Sequence, residues 1–399
     1  MRICLVIDDY LPYSIKIGTK MMHELAVQYI GHGYEVTVIT PDVKLKERYK
    51  IEFIDNVKVV YFKSGQIKNT SKIKRAINET LLSYNSWNNC KELFINNPHD
   101  FIIYYSPSIF FGSLVNKLKK LWSCKSYLIL RDLFPQWAID NGMIKENSII
   151  TKYFKYFENI NYKAADTIGL MSNKNLEWFN KKYEIFSNKS EVLYNWTNNT
   201  KYISKEQKYK KQLNLEDKIV FFYGGNMGHA QDMMNLVRLS ENMKKYKDAH
   251  FVFVGAGDEV VLIKNHIKNN NTLNITLLPS VNQNEFLQML NEFDIGLFTL
   301  SKDHKTHNFP GKLLGYMVEN LPILGSINPD NDLKDVIDEY NAGLISINGE
   351  DDILFNNAIK LLDKSYRDNI SKNAEKLMHD KFSVKNISNQ ILKVINNEK

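Results

Sequence analysis

Short apolar runs, rich in β-branched and aromatic residues, recur along this chain in two series, each run followed by a polar or amphipathic stretch. The first series is "RICLVI" (2–7), "EVTVIT" (35–40), "FIIYYS" (101–106), "SYLILRD" (126–132), "DTIGLMS" (166–172) and "EVLYN" (191–195). The second is "IVFFYGG" (219–225), "HFVFVGAG" (250–257), "NITLLPS" (274–280), "DIGLFTL" (294–300), "PILGS" (322–326) and "GLISI" (343–347). Runs of this kind read as strands of a parallel sheet buried on both faces, and the intervening stretches as crossover helices. "KMMHELAVQYI" (20–30), closed by Gly31 and Gly33, is such a helix between the first two strands. The fold class is therefore α/β, with two Rossmann-like, doubly wound parallel-sheet domains expected to face each other across a cleft.

At 399 residues the chain exceeds one comfortable core, which agrees with two domains. The polar, basic stretch 196–218 is read as the linker. The boundaries that follow are 1–200 and 201–382, with a C-terminal amphipathic helix in 383–399 expected to pack back on the first domain. No apolar run reaches the ~20 residues that span a bilayer. "MRICLVIDDY" reads as a first strand and not as a signal peptide. Cys4, Cys90 and Cys124 form no metal or redox motif and point to a reducing compartment, the cytoplasm. Net charge is +7, split as +8 over residues 1–200 and −1 over 201–399. A basic first half suits anionic lipid, a lipid diphosphate or nucleic acid, although solubility charge alone is the plainer reading. Nucleic acid is the weakest of these, because no zinc finger, RNP motif or arginine-rich arm is present.

Ligands of open α/β sheets bind beyond the carboxyl ends of the strands, so the loops there are the ones to read. "YGGNMGHAQDM" (223–233) follows a strand and opens a helix, and Gly224, Gly225 and Gly228 let backbone approach a phosphate. A tight turn needs glycine anyway, and the loop is neither a Walker A motif nor a clean dinucleotide fingerprint. The Gly-x-Gly of "VGAGDE" (254–259) is read as serving its turn. "SKDHKTHNFPGK" (301–312) is more specific: two histidines, Lys305, Gly311 and Lys312 converge before an apolar helix, which suits a diphosphate. His304 and His307 at i and i+3 could share a metal, but the strongly basic loop argues against one, and no metal is expected. In the first half, Arg131 and Asp132 end a strand and are expected to face the cleft. Asp8 and Asp9 could serve a sugar or acceptor hydroxyl, and Gly18 could admit a phosphate to a helix start.

"YGGNMG", "FVFVGAGDE", "ITLLPSVNQNEFLQMLNEFDIGLF" and "FPGKLLGYMVENLPIL", with the Gly18 loop, together resemble a GT-B glycosyltransferase of the retaining family 4 over essentially the whole chain. "FPGKLLGYM" is similar to that family's Pro-Ser-Lys-Leu-Leu-Glu-Tyr-Met segment. "IDDYLP", "RDLFP" and "THNFPGKLLGY" are similar to O-antigen and capsule transferases assigned to N-acetyl-L-fucosamine. The chain also departs from the family. Its Glu-x7-Glu pair falls on His307 and Gly315, with Glu319 one turn further as a partial substitute. Its Arg-x4-Lys pyrophosphate pair falls on Asn226 and Gln231, and a histidine before the first-domain aspartate is Arg131.

The resemblance implies transfer of N-acetyl-L-fucosamine or a related N-acetylhexosamine from a UDP-sugar to an undecaprenyl-diphosphate-linked saccharide. It implies no separate cofactor, retention of anomeric configuration, and work at the inner face of the plasma membrane. Lys312, with N–H groups of Gly225, Asn226 and Gly311, is expected to hold the donor diphosphate, aided by Gly18, Gly228, Gln231 and Glu319. His307 is expected at the donor sugar or its phosphate, Arg131 at the phosphate, and Asp132 or Asp9 at the acceptor hydroxyl. Two other readings stay open: a nucleotide-sugar epimerase on a similar frame, and a catalytically silent UDP-sugar-binding subunit of a transferase complex.

Overall fold

The computed structural model describes the chain except for residues 15, 68–69, 204–205, 271, 304–308, 310 and 396–399. The chain divides into two compact units, Met1–Asn195 with Val384–Lys399, and Trp196–Ser383.

In the first unit the strands are β1 (Arg2–Val6), β2 (Glu35–Asp42), β3 (Tyr49–Ile54), β4 (Val57–Lys63), β5 (Phe101–Ser106), β6 (Lys125–Leu130), β7 (Thr167–Leu170) and β8 (Ser190–Val192). They form one sheet in the order β3-β4-β2-β1-β5-β6-β7-β8. Every residue of β5 is buried, as a central strand covered on both faces requires. All neighbours are parallel except β3 and β4, an antiparallel hairpin at the sheet edge. This hairpin is not among the strands read from the sequence. Its signal is Asp55-Asn56, whose φ angles of 49° and 65° give the two-residue turn that matches strand twist.

The helices of this unit are α1 (Ile17–Gly31), α2 (Lys72–Thr80), α3 (Leu82–Asn96), α4 (Gly112–Trp122), α5 (Gln136–Asp140), α6 (Ile149–Ala164) and α7 (Asn173–Lys182). A continuous apolar cluster, including Val6, Tyr104, Phe111, Leu128 and Tyr162, lies between the sheet and α3, α4 and α6.

The second unit begins with α8 (Lys208–Gln212) and β9 (Ile219–Asn226). It continues through α9 (Met233–Asn242), β10 (Ala249–Ala256), α10 (Val260–Asn270), β11 (Ile275–Leu278), α11 (Gln283–Glu292) and β12 (Ile295–Thr299). Then follow α12 (Lys312–Val318), β13 (Ile323–Ile327), α13 (Leu333–Tyr340), β14 (Gly343–Ile347), α14 (Asp351–Lys360) and α15 (Lys364–Leu377). Its sheet is parallel throughout, ordered β11-β10-β9-β12-β13-β14. The last helix, α16 (Val384–Lys393), belongs to the first unit. There Tyr29 donates to the Ser388 carbonyl, and Gln390 donates to Glu191 and to the Val192 carbonyl.

The polar stretch 196–218 lies wholly in the second unit and is held there by buried charge. Glu292 accepts from the backbone N–H groups of Lys208, Tyr209 and Lys210, and the Lys210 ammonium pairs with Asp294 at 2.8 Å. Among the described residues no helix is long and apolar enough to cross a membrane.

Each sheet has one place where the chain order reverses, between β1 and β5 in the first unit and between β9 and β12 in the second. The loops leaving the carboxyl ends of the strands there are the structural candidates for ligand contact.

Candidate functional site

In the second unit the reversal point is built around Gly225, at a φ of 129° that only glycine adopts without strain. It pairs in register with Gly255, at a φ of 153°. A Cβ on Gly255 would lie 1.9 Å from the Gly225 carbonyl oxygen, so the two loops touch backbone to backbone. The Gly-x-Gly at 255–257 thus serves the turn. The rest of the β9 turn closes on itself: Gln231 accepts from the Gly228 N–H at 3.1 Å and from the Asn226 amide at 2.8 Å. The two neutral residues at the places of the family's basic pair therefore satisfy each other.

Lys312 opens α12 and reaches into this turn. One turn further along α12, Tyr316 is buried and donates to the Leu297 carbonyl at 2.9 Å. A Cβ on Gly296 would strike the Tyr316 ring at 2.5 Å, so glycine there lets α12 lie directly on β12. That anchoring sets the Lys312 ammonium 3.6 Å from the centroid of the Tyr223 ring and 3.6 Å from where a Cβ on Gly225 would stand. Tyr223 is itself fixed, donating to the Asn226 carbonyl at 2.5 Å.

The ammonium is buried and has no hydrogen-bond partner among the described residues. Burial lowers its pKa to about 7. Contact with the face of an aromatic ring offsets part of the desolvation of a cation, but leaves its N–H donors unmet. This is a charged group that an incoming anion would satisfy.

The remaining residues assigned to the second-unit site divide clearly. Gly311 stands at the start of α12 in helical conformation (φ −58°, ψ −22°). Gly315 is mid-helix, and a Cβ there would meet only Leu290, at an ordinary 3.5 Å. Glu319 carries a structural contact of its own. It lies at the opposite end of α12, two turns or about 10 Å from Lys312. There it accepts from the Tyr202 N–H at 2.8 Å, while Asn291 donates to the Tyr202 carbonyl. Its carboxylate clamps the segment entering the unit. Burial raises its pKa, against the opposing effect of that hydrogen bond. His307, with His304 and Lys305, lies outside the described residues.

In the first unit the carboxyl ends of β1, β5 and β6 bring together Asp8, Asp9, Tyr105, Arg131 and Asp132. Asp9 accepts from Ser14 at 2.7 Å and faces the Lys16 ammonium at 3.5 Å. Thr19 donates to the Asp9 carbonyl at 3.0 Å, which ties the loop to the first turn of α1. Gly18 packs against Tyr105; a Cβ there would lie 2.6 Å from the tyrosine oxygen. Gly18 therefore serves close packing of α1 on β5. Tyr105 is absent from the residues picked from the sequence, where it reads as one more apolar position of a strand.

Arg131 is engaged by backbone groups of its own unit. Its guanidinium donates to the carbonyls of Leu130 and Gly169 at 3.4 and 3.3 Å and to that of Tyr194 at 3.0 Å. It thus straps the carboxyl edge of β6, β7 and the chain after β8, and burial lowers its pKa to about 10. Asp132, the next residue, is the chemically open member: burial raises its carboxyl pKa to about 6. A carboxyl so placed exchanges a proton near neutral pH, as a general base requires.

Comparison with known proteins agrees with this geometry. Residues 204–377 match the model of the family Glycosyl transferases group 1, which covers the glycine turn, Lys312 and all of α12. A curated relative, the probable glycosyltransferase WbjE of Pseudomonas aeruginosa, is 24% identical over 225 residues, 55% of this chain and 55% of that protein. The match therefore spans about half the length of that relative. Among solved structures, sucrose-phosphate synthase from Thermosynechococcus elongatus superposes with a TM-score of 0.69 at 12% identity, covering 99% of this chain and 98% of that one. Anabaena HepE in complex with UDP-glucose superposes with a TM-score of 0.67 at 13% identity over 100% of both chains. The fold is GT-B, and the stretch that matches the glycosyl transferases group 1 model falls wholly within the second unit.

Proposed function

We propose that the protein is a retaining, metal-independent glycosyltransferase of family 4 that moves a sugar from UDP to a lipid-diphosphate-linked saccharide. The observation that carries this reading is the buried Lys312 ammonium, without a hydrogen-bond partner among the described residues, beside Gly225 at the reversal point of a GT-B second unit. Breaking a glycosidic bond to UDP loads negative charge on the leaving diphosphate. A fixed cation in a site from which water is excluded stabilises that charge more than it does the ground state. Lys312 supplies the charge, and the N–H groups of Asn226 and Gly311 supply further donors. The family match to the second unit and the UDP-glucose named for the HepE structure support UDP as the donor nucleotide.

Asp132 orients the acceptor hydroxyl, and Asp9, held by Ser14 and Lys16 in the loop after β1, is the second carboxylate offered to it. With retention, the acceptor attacks from the side of the leaving group, and the departing phosphate accepts its proton; a carboxyl of pKa about 6 aids that transfer as attack begins. The sugar is N-acetyl-L-fucosamine or a close N-acetylhexosamine, the acceptor is undecaprenyl-diphosphate-linked, and the product enters an O-antigen or capsule. The protein works from the cytoplasm against the anionic inner face of the plasma membrane.

The test is incubation of the protein with UDP-N-acetylhexosamines, the L-fuco form included, and a polyprenyl-diphosphate saccharide, followed by mass spectrometry of the lipid fraction. One added N-acetyl-deoxyhexosamine or N-acetylhexosamine on the lipid supports the proposal. Isomerised UDP-sugar without transfer would mark an epimerase. Binding without turnover, with this acceptor and with added membranes, would mark a silent subunit.

A further inference from the structure

α2 is an amphipathic helix with no buried residue. Its apolar side chains Ile73 and Ile77 are 76% and 54% exposed. They stand four residues apart, and the same face continues through the exposed Leu81 and Tyr84 at the start of α3. A second stripe runs along α6, where Ile149 is 86% and Tyr156 62% exposed, with Tyr153 between them at helical spacing.

The two stripes adjoin. Thr80 at the end of α2 shares a hydrogen bond with Tyr153 of α6. Beneath them, Ser83 of α3 donates to the Phe110 carbonyl, and the Phe110 ring packs 5.1 Å from that of Phe157 in α6. Topology puts both at one edge of the unit: α2 follows the carboxyl end of β4, and α6 begins in the connection that leaves the carboxyl end of β6. That is the edge of Asp9 and Asp132. Phe134, two residues after Asp132, packs 4.7 Å from Phe154, the neighbour of Tyr153.

Charge around the stripes is of one sign in excess. Lys72, Lys74, Lys145 and Lys152 are exposed, and Arg75 is paired with Glu79 at 2.8 Å. Glu146 is the exposed acid of the α6 side. Isoleucines and tyrosines flanked by lysines are the composition of a helix face that lies in the headgroup region of an anionic bilayer. There tyrosine rings sit at the polar boundary and lysines meet lipid phosphates.

We propose that the outward faces of α2, the start of α3 and α6 form a single lipid-docking surface, which seats the first unit on an anionic bilayer with its Asp9–Asp132 edge toward the lipid. This deepens the membrane partner of the proposed function, and rests on that reading for its purpose but not for its test. A surface that meets lipid needs no shape-complementary partner, which fits two exposed stripes on separate helices.

The experiment is co-sedimentation of the full chain with vesicles of phosphatidylcholine alone or mixed with phosphatidylglycerol. The wild-type protein is expected to bind the anionic vesicles, more weakly at high salt. Ile77→Ser combined with Tyr156→Ser is expected to lower the partition at least tenfold. Phe53→Ser, which removes an exposed ring from the β3 edge hairpin, is expected to leave it unchanged. Lys74→Glu with Lys152→Glu should lower anionic binding about fivefold or more per lysine and leave the small neutral-vesicle background as it was.

UDP binding and far-UV circular dichroism on the same preparations show that each variant is folded. Wild type that ignores vesicles, or an Ile77/Tyr156 variant that binds as before, overturns the docking surface. So does a wild-type dimer that the same pair of substitutions dissociates, since the stripes would then be an interface between copies. Each of these leaves the donor-site reading standing if UDP still binds. Loss of UDP binding by wild type would strike that reading alone.

Discussion

The Lys312 ammonium lies 3.6 Å from the centroid of the Tyr223 ring, buried and with no hydrogen-bond partner among the described residues. A protein keeps such a group at a cost to its own stability. With a pKa lowered from 10.5 to about 7, the unfolded chain binds more protons than the folded one between those values. Folding stability contributed by this residue therefore rises with pH across that window, and the cost is fully present below about pH 7. Lys312→Met is expected to be more stable than the ligand-free parent at pH 6, by about 1–3 kcal/mol. The gap should close toward pH 10. Thermal denaturation of both proteins across pH measures it, and a constant difference would contradict the account.

Arg131 is a strap, and its loss should show in folding first. Arg131→Ala removes donors from the carbonyls of Leu130, Gly169 and Tyr194 at the edge of the first-unit sheet. A destabilisation of about 2–3 kcal/mol is expected in urea titration. Affinity for UDP, measured well below the unfolding midpoint, should stay within about twofold of the parent's, since the guanidinium is engaged by backbone carbonyls of its own unit. A large loss of UDP affinity with stability intact would restore Arg131 to the phosphate.

Asp132 should set the acid limb of the rate. Its carboxyl, raised to about 6 by burial, must be ionised to accept a hydrogen bond from the acceptor hydroxyl, whose proton then passes to the departing phosphate. The rate at saturating donor is expected to fall as pH drops through about 6. Asp132→Asn should lose this limb together with roughly 100- to 10,000-fold of the rate. An unchanged acid limb in the asparagine variant would assign that proton to another group.

Two glycines should respond in opposite directions to the same added methyl. Gly255→Ala places a Cβ 1.9 Å from the Gly225 carbonyl at a φ of 153°, so the donor turn must open. A loss of about 3 kcal/mol or more, with UDP binding lost too, is expected. Gly315→Ala meets only Leu290 at 3.5 Å within a helix, and should stabilise by about 0.5–1 kcal/mol. Differential scanning calorimetry of the two variants separates them.

The sheets were legible because parallel strands buried on both faces cannot hide their composition: every residue of β5 is buried, and "FIIYYS" says as much. Of the edge hairpin, β3 is hard to read because it is only half covered and mixes Lys50 and Glu52 with apolar neighbours; β4, absent from the same reading, is mostly buried and apolar. Lys312 stands out in the sequence by its place before an apolar helix; its burial against Tyr223 and Gly225, about ninety residues away in sequence, does not. Arg131 and Glu319 carry contacts that the sequence does not show. Both are charged residues beside promising loops, and only the tertiary structure shows that backbone groups of Tyr194 and Tyr202 already occupy them. Tyr105 was passed over because a tyrosine in an apolar strand carries no mark of the glycine it packs against.

The central claim is that Lys312 is the diphosphate anchor of a UDP-sugar site. Titration calorimetry of UDP into the parent protein and Lys312→Met, in two buffers of different ionisation enthalpy at pH 8, tests it most directly. Net proton uptake is expected on binding by the parent, because an incoming diphosphate raises the lysine pKa from about 7. Binding about 10- to 100-fold weaker is expected of the variant, with the proton uptake gone. Equal affinity and equal proton linkage in the two proteins would contradict it.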